Sequence, residues 1–312
     1  MKKKTWIDKE DTSKYGISHE DKNRKGGLGE LIEECFFHYK CNNDSLPDFD
    51  KAGVELKVTP YKINKNKSLS AKERLIITMI DYEKVINEPF FKSHLWSKSQ
   101  LILLVYYLYK KEIKNRLDYR IGYSKLFSPP KEDLEIIKND YETIINKIKL
   151  GKAHELSESD TLYLGAATKS SSSSNRRKQP FSDIPAKPRA FSFKSSYMTY
   201  ILNNYIIPNK NTYESILKDL NVLNNTSFKN YITSKINPYI GKSDKELCEL
   251  FNREYNNNKA QWYDLTYRML GIKSNKAEEF VKANIVVKVI RLEDNKKIRE
   301  NIMITFLFIY YK

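Results

Sequence analysis

Asp48, Glu55 and Lys57 fall within ten residues of one another in the stretch LPDFDKAGVELKVTPYK. Two carboxylates can hold Mg²⁺, which keeps waters and takes a phosphate oxygen as another ligand, while an ammonium stabilises charge or positions an attacking water. Those are the residue types that phosphodiester hydrolysis needs. Val54, Leu56 and Val58 alternate with Glu55 and Lys57 before Pro60 ends the run. A strand of period two sends the apolar set to one face and the charged pair to the other. The expectation is that the apolar face meets the core and the pair stands at a sheet surface. Taken alone, D-x6-E-x-K is a weak pattern, because alternating charge on a strand is usually a solvated face.

Around this segment the chain supplies elements that could position it. Leu28, Leu31, Ile32, Cys35 and Phe36 form one face of a helix over 28–39, with Gly26, Gly27 and Gly29 at its entrance. Glu30, Glu33 and Glu34 fall near its first turns, where the helix dipole favours negative charge. Leu101 to Tyr109 reads as a central strand and Tyr119 to Tyr123 as a shorter one. A helix follows Ser128, Pro129 and Pro130, with its stripe at Leu134, Ile137, Tyr141, Ile144, Ile145 and Ile148 and its stop at Gly151.

From Gly165 to Pro188 the composition shifts to Ser, Asn, Arg, Lys and Pro, with serine at every position from 170 to 174. This reads as a mobile basic loop. Arg189 to Lys194 is strand-like and Tyr197 to Tyr205 starts a helix. The turn-rich stretch from Pro208 to Asn225 marks a boundary, a helical module fills 226–275, and Ile285 to Leu292 is another strand before the apolar run ITFLFIYYK.

Composition narrows the class. Fifty-five Lys and Arg against 39 Asp and Glu give a net charge of +16, which favours a polyanionic partner. Cys35, Cys41 and Cys248 lack CxxC spacing, so neither a disulfide framework nor a zinc site is indicated. No apolar segment follows the N-terminal lysines, and the longest apolar runs are half a membrane span, so a cytoplasmic protein with no membrane partner is expected. His38 and His154 read as structural, and no cluster supports a hydrolytic triad.

The segment around Asp48, Glu55 and Lys57 resembles the catalytic motif of the MutH family of DNA endonucleases, including its G-V-E-L-K core and the proline three residues after the lysine. KGGLGELIE at 25–33 resembles that family's helix with a metal-site glutamate, which places Glu33 in the role with Glu34 as its rival. The likeness extends through SAKERLIITMIDYEKV, GKAHELSE, QPFSDIPAKPRAFSFKSSYMT and VVKV, where it is nearest to GATC-cutting restriction endonucleases of the Sau-three-A-one type. It implies an α/β restriction-endonuclease-like, PD-(D/E)xK core with a mixed sheet flanked by helices. Mg²⁺ is the implied cofactor, and GATC in double-stranded DNA the implied substrate.

By the same resemblance Lys98 is a further basic residue at the active site, Lys169 matches a lysine of the DNA-reading region, and Arg189, Ser192 and Lys194 fall on its R-x-F-x-x-K segment. The chain departs from MutH at Ser192, where that family carries a tyrosine. Arg176 and its basic neighbours can neutralise phosphates, and which side chain reaches a base stays open. IVVKVI at 285–290 resembles VELKVT at 54–59, with Val286 at the place of Glu55 and Lys288 at that of Lys57. The expected organisation is therefore a catalytic domain over 1–207, a linker and helical module over 208–275, and the start of an incomplete, catalytically silent second MutH-like domain over 276–312. A type II restriction endonuclease is the leading expectation. A MutH-type mismatch-repair nicking enzyme and a non-cleaving DNA-binding protein of the same fold are the alternatives, and the oligomeric state lies between a monomer and a DNA-induced dimer.

Overall fold

The computed structural model describes residues 27–39, 46–207, 213–256, 258–274, 276–291 and 308–311. Cys41, Lys25, Gly26, Leu292, the run 302–307 and the first residues of the 208–225 boundary lie outside them. Strand β1 (Glu55–Ile63) sits in a four-stranded mixed sheet with β2 (Leu69–Ala71), β4 (Ile102–Leu108) and β5 (Ile121–Phe127), ordered β2-β1-β4-β5. β1 runs parallel to β4, from Glu55 opposite Ile102 to Tyr61 opposite Leu108, and the outer pairs are antiparallel. A second, antiparallel sheet joins β3 (Leu75–Met79), β9 (Arg189–Phe193) and β6 (Leu164–Thr168) in the order β3-β9-β6.

β4 is central because it is apolar on both faces. Ile102, Leu104 and Tyr106 are wholly buried on the main core, while Leu103 and Val105 face a smaller cluster with Leu56. Helix α1 (Gly27–Leu31), continued by a wider π-type turn through Phe36, covers that second face with Leu31, Ile32 and Cys35. Fully burying each such side chain contributes about 1.5–3 kcal/mol. Helix α4 (Lys131–Lys149) presents its stripe of Ile137, Tyr141, Ile144, Ile145 and Ile148 to the main core, and Tyr141 lies 5.4 Å from Phe191 of β9. The short helices α2 (Tyr82–Val85) and α3 (His94–Ser99) link β3 to β4.

Three sequence expectations change here. Pro60 does not end β1, which continues to Ile63. The Pro60 carbonyl accepts from Lys72 N at 3.0 Å, just beyond the last β1–β2 pair, so the missing N–H faces the end of that ladder. The span 165–188 is largely structured, as β6, β7 (Arg177–Gln179) and β8 (Ser182–Ala186), with irregular backbone chiefly over 169–176. Small residues hid β6, since LGAAT lacks the branched and aromatic side chains that mark strands. The helix predicted from Tyr197 is α5 (Ser195–Tyr200) followed by a π-type stretch to Ile206.

Beyond residue 213 the helices α6 (Phe228–Ile236), α7 (Asp244–Leu250), α8 (Lys259–Leu270) and α9 (Glu278–Ala283) follow. Ile216, Leu217, Phe228, Phe280 and Val287 join the main core, so this region packs as a continuation of it. β10 (Lys288–Arg291) pairs in parallel with β11 (Phe308–Tyr311). The tie to the rest of the molecule is ionic as well as apolar. Lys282 of α9 is bonded to Asp133 of α4, and Asp133 also accepts from Tyr197 at 2.9 Å and Tyr205 at 3.0 Å. Burial raises the Asp133 carboxyl above its ordinary value despite these partners.

Candidate active site

A tight turn places Asp48 beside Glu55. Phe49 and Val54 form an antiparallel bridge, with N–H···O distances of 2.9 and 3.3 Å, and residues 50–53 make the turn between them. Gly53 closes it in the left-handed region at φ 64°. Residues 48 and 55 therefore face each other across the base of the bridge. The Asp48 N–H donates to Glu55 Oε2 at 3.3 Å, and the Leu56 N–H donates to Asp48 Oδ2 at 2.9 Å. The seven-residue separation seen in the sequence is the length of this bridge and turn.

Glu55 is only 1% exposed. Its parallel partner Ile102, and Leu104 opposite Lys57, belong to the main core, so the face bearing the charged pair is the core face near the head of the strand. The sequence had placed that pair on an open sheet surface. Two ammoniums offset the burial: Lys57 Nζ lies 2.5 Å from Glu55 Oε1, and Lys98 Nζ lies 3.4 and 3.3 Å from its two oxygens. Lys98 occupies the last turn of α3, and Leu101, three residues on, accepts the Glu55 N–H at 3.0 Å. The entry of β4 thus sets the position of this lysine.

Glu33 is half-buried on the turn whose Ile32 and Cys35 pack with Leu56 and Val105, and Glu34 rides on the same turn. Among the described residues no three His, Cys, Asp or Glu side chains form a group that could hold a metal ion. Two carboxylates do suit Mg²⁺, which is commonly bound by one or two of them with waters and substrate phosphate. The Leu56 N–H orients the Asp48 carboxylate and takes only one of its oxygens, which leaves hard-oxygen donors of the right chemistry.

The candidate DNA contacts divide. Lys169 is exposed at the end of β6, and its ammonium is lowered from the ordinary lysine value by partial burial first and by repulsion from Lys57 second. Arg176 is exposed, with Nη1 on the carbonyls of Ser173 and Asn175 at 2.8 and 2.9 Å. The other three turn inward. Arg189 donates to the Ala166 carbonyl at 2.6 Å and to that of Leu156. Ser192 is wholly buried with its hydroxyl 3.4 Å from the Gly165 carbonyl. Lys194 donates to Glu158 O at 2.5 Å and to Thr161 O, and burial lowers its pKa even though Asp140, Glu158 and Asp160 pull the other way. These bonds brace β6 and β9.

The sequence reading missed Asp140, which fixes the start of β6. This buried carboxylate accepts the N–H groups of Leu162, Tyr163 and Leu164 at 2.8, 2.7 and 2.9 Å, and burial lifts its pKa to about 6. The only available signal was an aspartate adjoining Tyr141 on the apolar stripe of α4.

Residues 37–140 match the family described as MutH, DNA mismatch repair enzyme MutH. The chain is 41% identical over 286 residues to the type II restriction enzyme Sau3AI of Staphylococcus aureus, covering 88% of this chain and 57% of that enzyme. It is 28% identical over 197 residues to the DNA mismatch repair protein MutH of Vibrio campbellii, covering 60% of this chain and 81% of that protein. The MutH protein of Shewanella baltica is 28% identical over 187 residues, covering 58% and 80%. The chain therefore spans little more than half the length of the restriction enzyme it resembles. Among the described residues no helix is long and apolar enough to cross a membrane.

Proposed function

We propose that this chain, whose residues 37–140 match the MutH family, is a Mg²⁺-dependent restriction endonuclease that cuts double-stranded DNA at GATC in the cytoplasm. The observation that carries the reading is the buried Glu55 carboxylate, with Lys57 and Lys98 on its oxygens and Asp48 folded back against it. Such a cluster in a structural role would be an ordinary ion pair. Here it lies in the segment that matches a family of DNA-acting enzymes.

Asp48 and Glu55 would hold the cation, with Glu33 as the further carboxylate that the resemblance implies, and the bound cation would supply Lewis-acid charge at the phosphate and a water of lowered pKa. Lys57 is 20% exposed and Lys98 13%, so both stay reachable from the solvent side of the site. Lys57 orients the attacking water or meets the negative charge that develops on the phosphoryl oxygens, and such preorganised charge accounts for much of the rate gain in enzymes. Lys98 orients the Glu55 carboxylate through both of its oxygens. Lys169 serves at the rim of the site as a base or phosphate contact, and Arg176 binds phosphate without regard to sequence. The segment from 276 resembles the catalytic segment in sequence, and with Val286 standing where a carboxylate would be required it contributes no cutting centre of its own.

Restriction is preferred to mismatch-repair nicking because the likeness to the restriction enzyme spans 88% of the chain, against 60% for MutH of Vibrio campbellii. Incubating the protein with plasmid and Mg²⁺ and sequencing the ends tests the reading. Double-strand breaks at GATC support it, single-strand nicks favour the repair alternative, and binding without cutting favours the inactive one.

A further inference from the structure

The hairpin formed by β7 and β8 turns at Pro180 and Phe181, between the paired Gln179 and Ser182, and places an aromatic residue where such a turn favours glycine or asparagine. At its tip Phe181 is 74% exposed and adopts φ 61°, a backbone region that a bulky residue occupies only against steric repulsion. An aromatic ring held in water on a strained residue is a reason to look for a function. Beside it Ile184 is 54% exposed.

The tip is held rigidly. Gln179, buried at the hairpin's inner edge, accepts the Ala153 N–H at 2.7 Å and donates to His154 Nδ1 at 2.9 Å and to the Ile184 carbonyl. Gly151, at φ 70°, permits close approach from below, since a Cβ there would collide with the Phe181 carbonyl oxygen.

Charge surrounds the apolar tip. Arg176, Arg177, Lys178 and Lys187 are all exposed on the hairpin and its two stems, against the single exposed acid Asp183. At the base of the hairpin the Lys169 N–H donates to the Pro188 carbonyl at 3.0 Å, which joins its two stems just beyond β6 and β9. Protein-binding patches are depleted of charge at their centre. An apolar side chain flanked by cations instead matches proteins that insert a wedge between base steps while binding the adjacent phosphates.

We propose that this hairpin is a DNA wedge, with Phe181 entering the base stack of the bound duplex and Arg177, Lys178 and Lys187 holding the flanking backbone. The proposal rests on the DNA-cutting reading above and adds to it a deformation of the substrate. Specificity then includes how readily the flanking base step unstacks.

The test uses duplexes with one GATC and 2-aminopurine placed in turn at each nearby position, bound in Ca²⁺ to the full chain. The wild-type protein is expected to raise fluorescence at one step. Phe181→Ala loses that rise and keeps salt-dependent binding, while Phe181→Leu retains it. The high exposure of Phe181 leaves the thermal midpoint of both variants close to wild type. An equal rise with Phe181→Ala, or wild-type binding with no rise at any step, overturns the wedge but leaves the nuclease reading standing. Wild-type dimers that Phe181→Ala separates in sedimentation, with fluorescence unchanged, would assign the tip to protein association instead. Failure of the wild-type protein to bind DNA at all overturns the wedge together with the reading beneath it.

Discussion

Lys98 Nζ lies 3.3 Å from Glu55 Oε2 although 43 residues separate them. Parallel pairing of β1 with β4 makes the contact, since it brings the entry of β4, and with it the end of α3, to the head of β1. Lys98→Ala should therefore lower the cleavage rate by about 100-fold or more, the scale of losing one preorganised charge or donor. Lys98→Arg should recover part of it, because a guanidinium still reaches the carboxylate. Single-turnover kinetics measure both, and an unchanged rate for Lys98→Ala would remove the residue from the site.

Gly53 has open space around its missing side chain but a left-handed backbone, so the cost of Gly53→Ala is conformational. The expected loss is about 1–2 kcal/mol in urea denaturation, with Gly53→Asn closer to wild type. Because this turn sets Asp48 against Glu55, Gly53→Ala should lose more activity than its stability alone explains.

Asp140 makes stability depend on pH in an unusual direction. Its carboxyl is raised from 3.8 to about 6, so between those values the native state holds a proton that the unfolded chain has released. Its contribution is fully present below pH 3.8 and falls as pH rises to 6, by about 3 kcal/mol. Asp140→Asn cannot ionise, and its stability relative to wild type should rise across that window. Urea denaturation at intervals from pH 4 to 7 measures the difference, and a constant difference would contradict it.

The buried pair of Lys282 and Asp133 ties α9 to α4. Lys282→Met leaves Asp133 with only its tyrosine partners and should cost about 3 kcal/mol, the lower end for breaking a buried pair. Adding Asp133→Asn should return most of that loss. A single variant as stable as wild type in urea would show that residues beyond 213 are not coupled to the core by this contact.

What could be read from the sequence follows from how local each cause is. The alternation through Glu55 and Lys57, the stripe of α4 and its stop at Gly151 are local patterns, and the structure reproduces them. Resemblance supplied Lys98, whose distance from Glu55 along the chain no periodicity could bridge. The direction of Arg189, Ser192 and Lys194 could not be read, because it depends on β6, on the carbonyls of Leu156, Gly165 and Thr161, and on Asp140, all distant in sequence. Glu33 and Glu34 lie on the helix that the sequence marks, but its change to a π-type turn at Ile32 is not a periodicity that residue types announce.

The most direct test of the account compares the wild-type protein with Asp48→Ala, Glu55→Gln and Lys57→Ala on plasmid DNA in Mg²⁺, with DNA binding in Ca²⁺ measured in parallel. The account predicts wild-type ends at GATC, none above background from the three variants, and binding retained by all four. Undiminished turnover by any of the three variants, or wild-type ends at unrelated sequences, would contradict it.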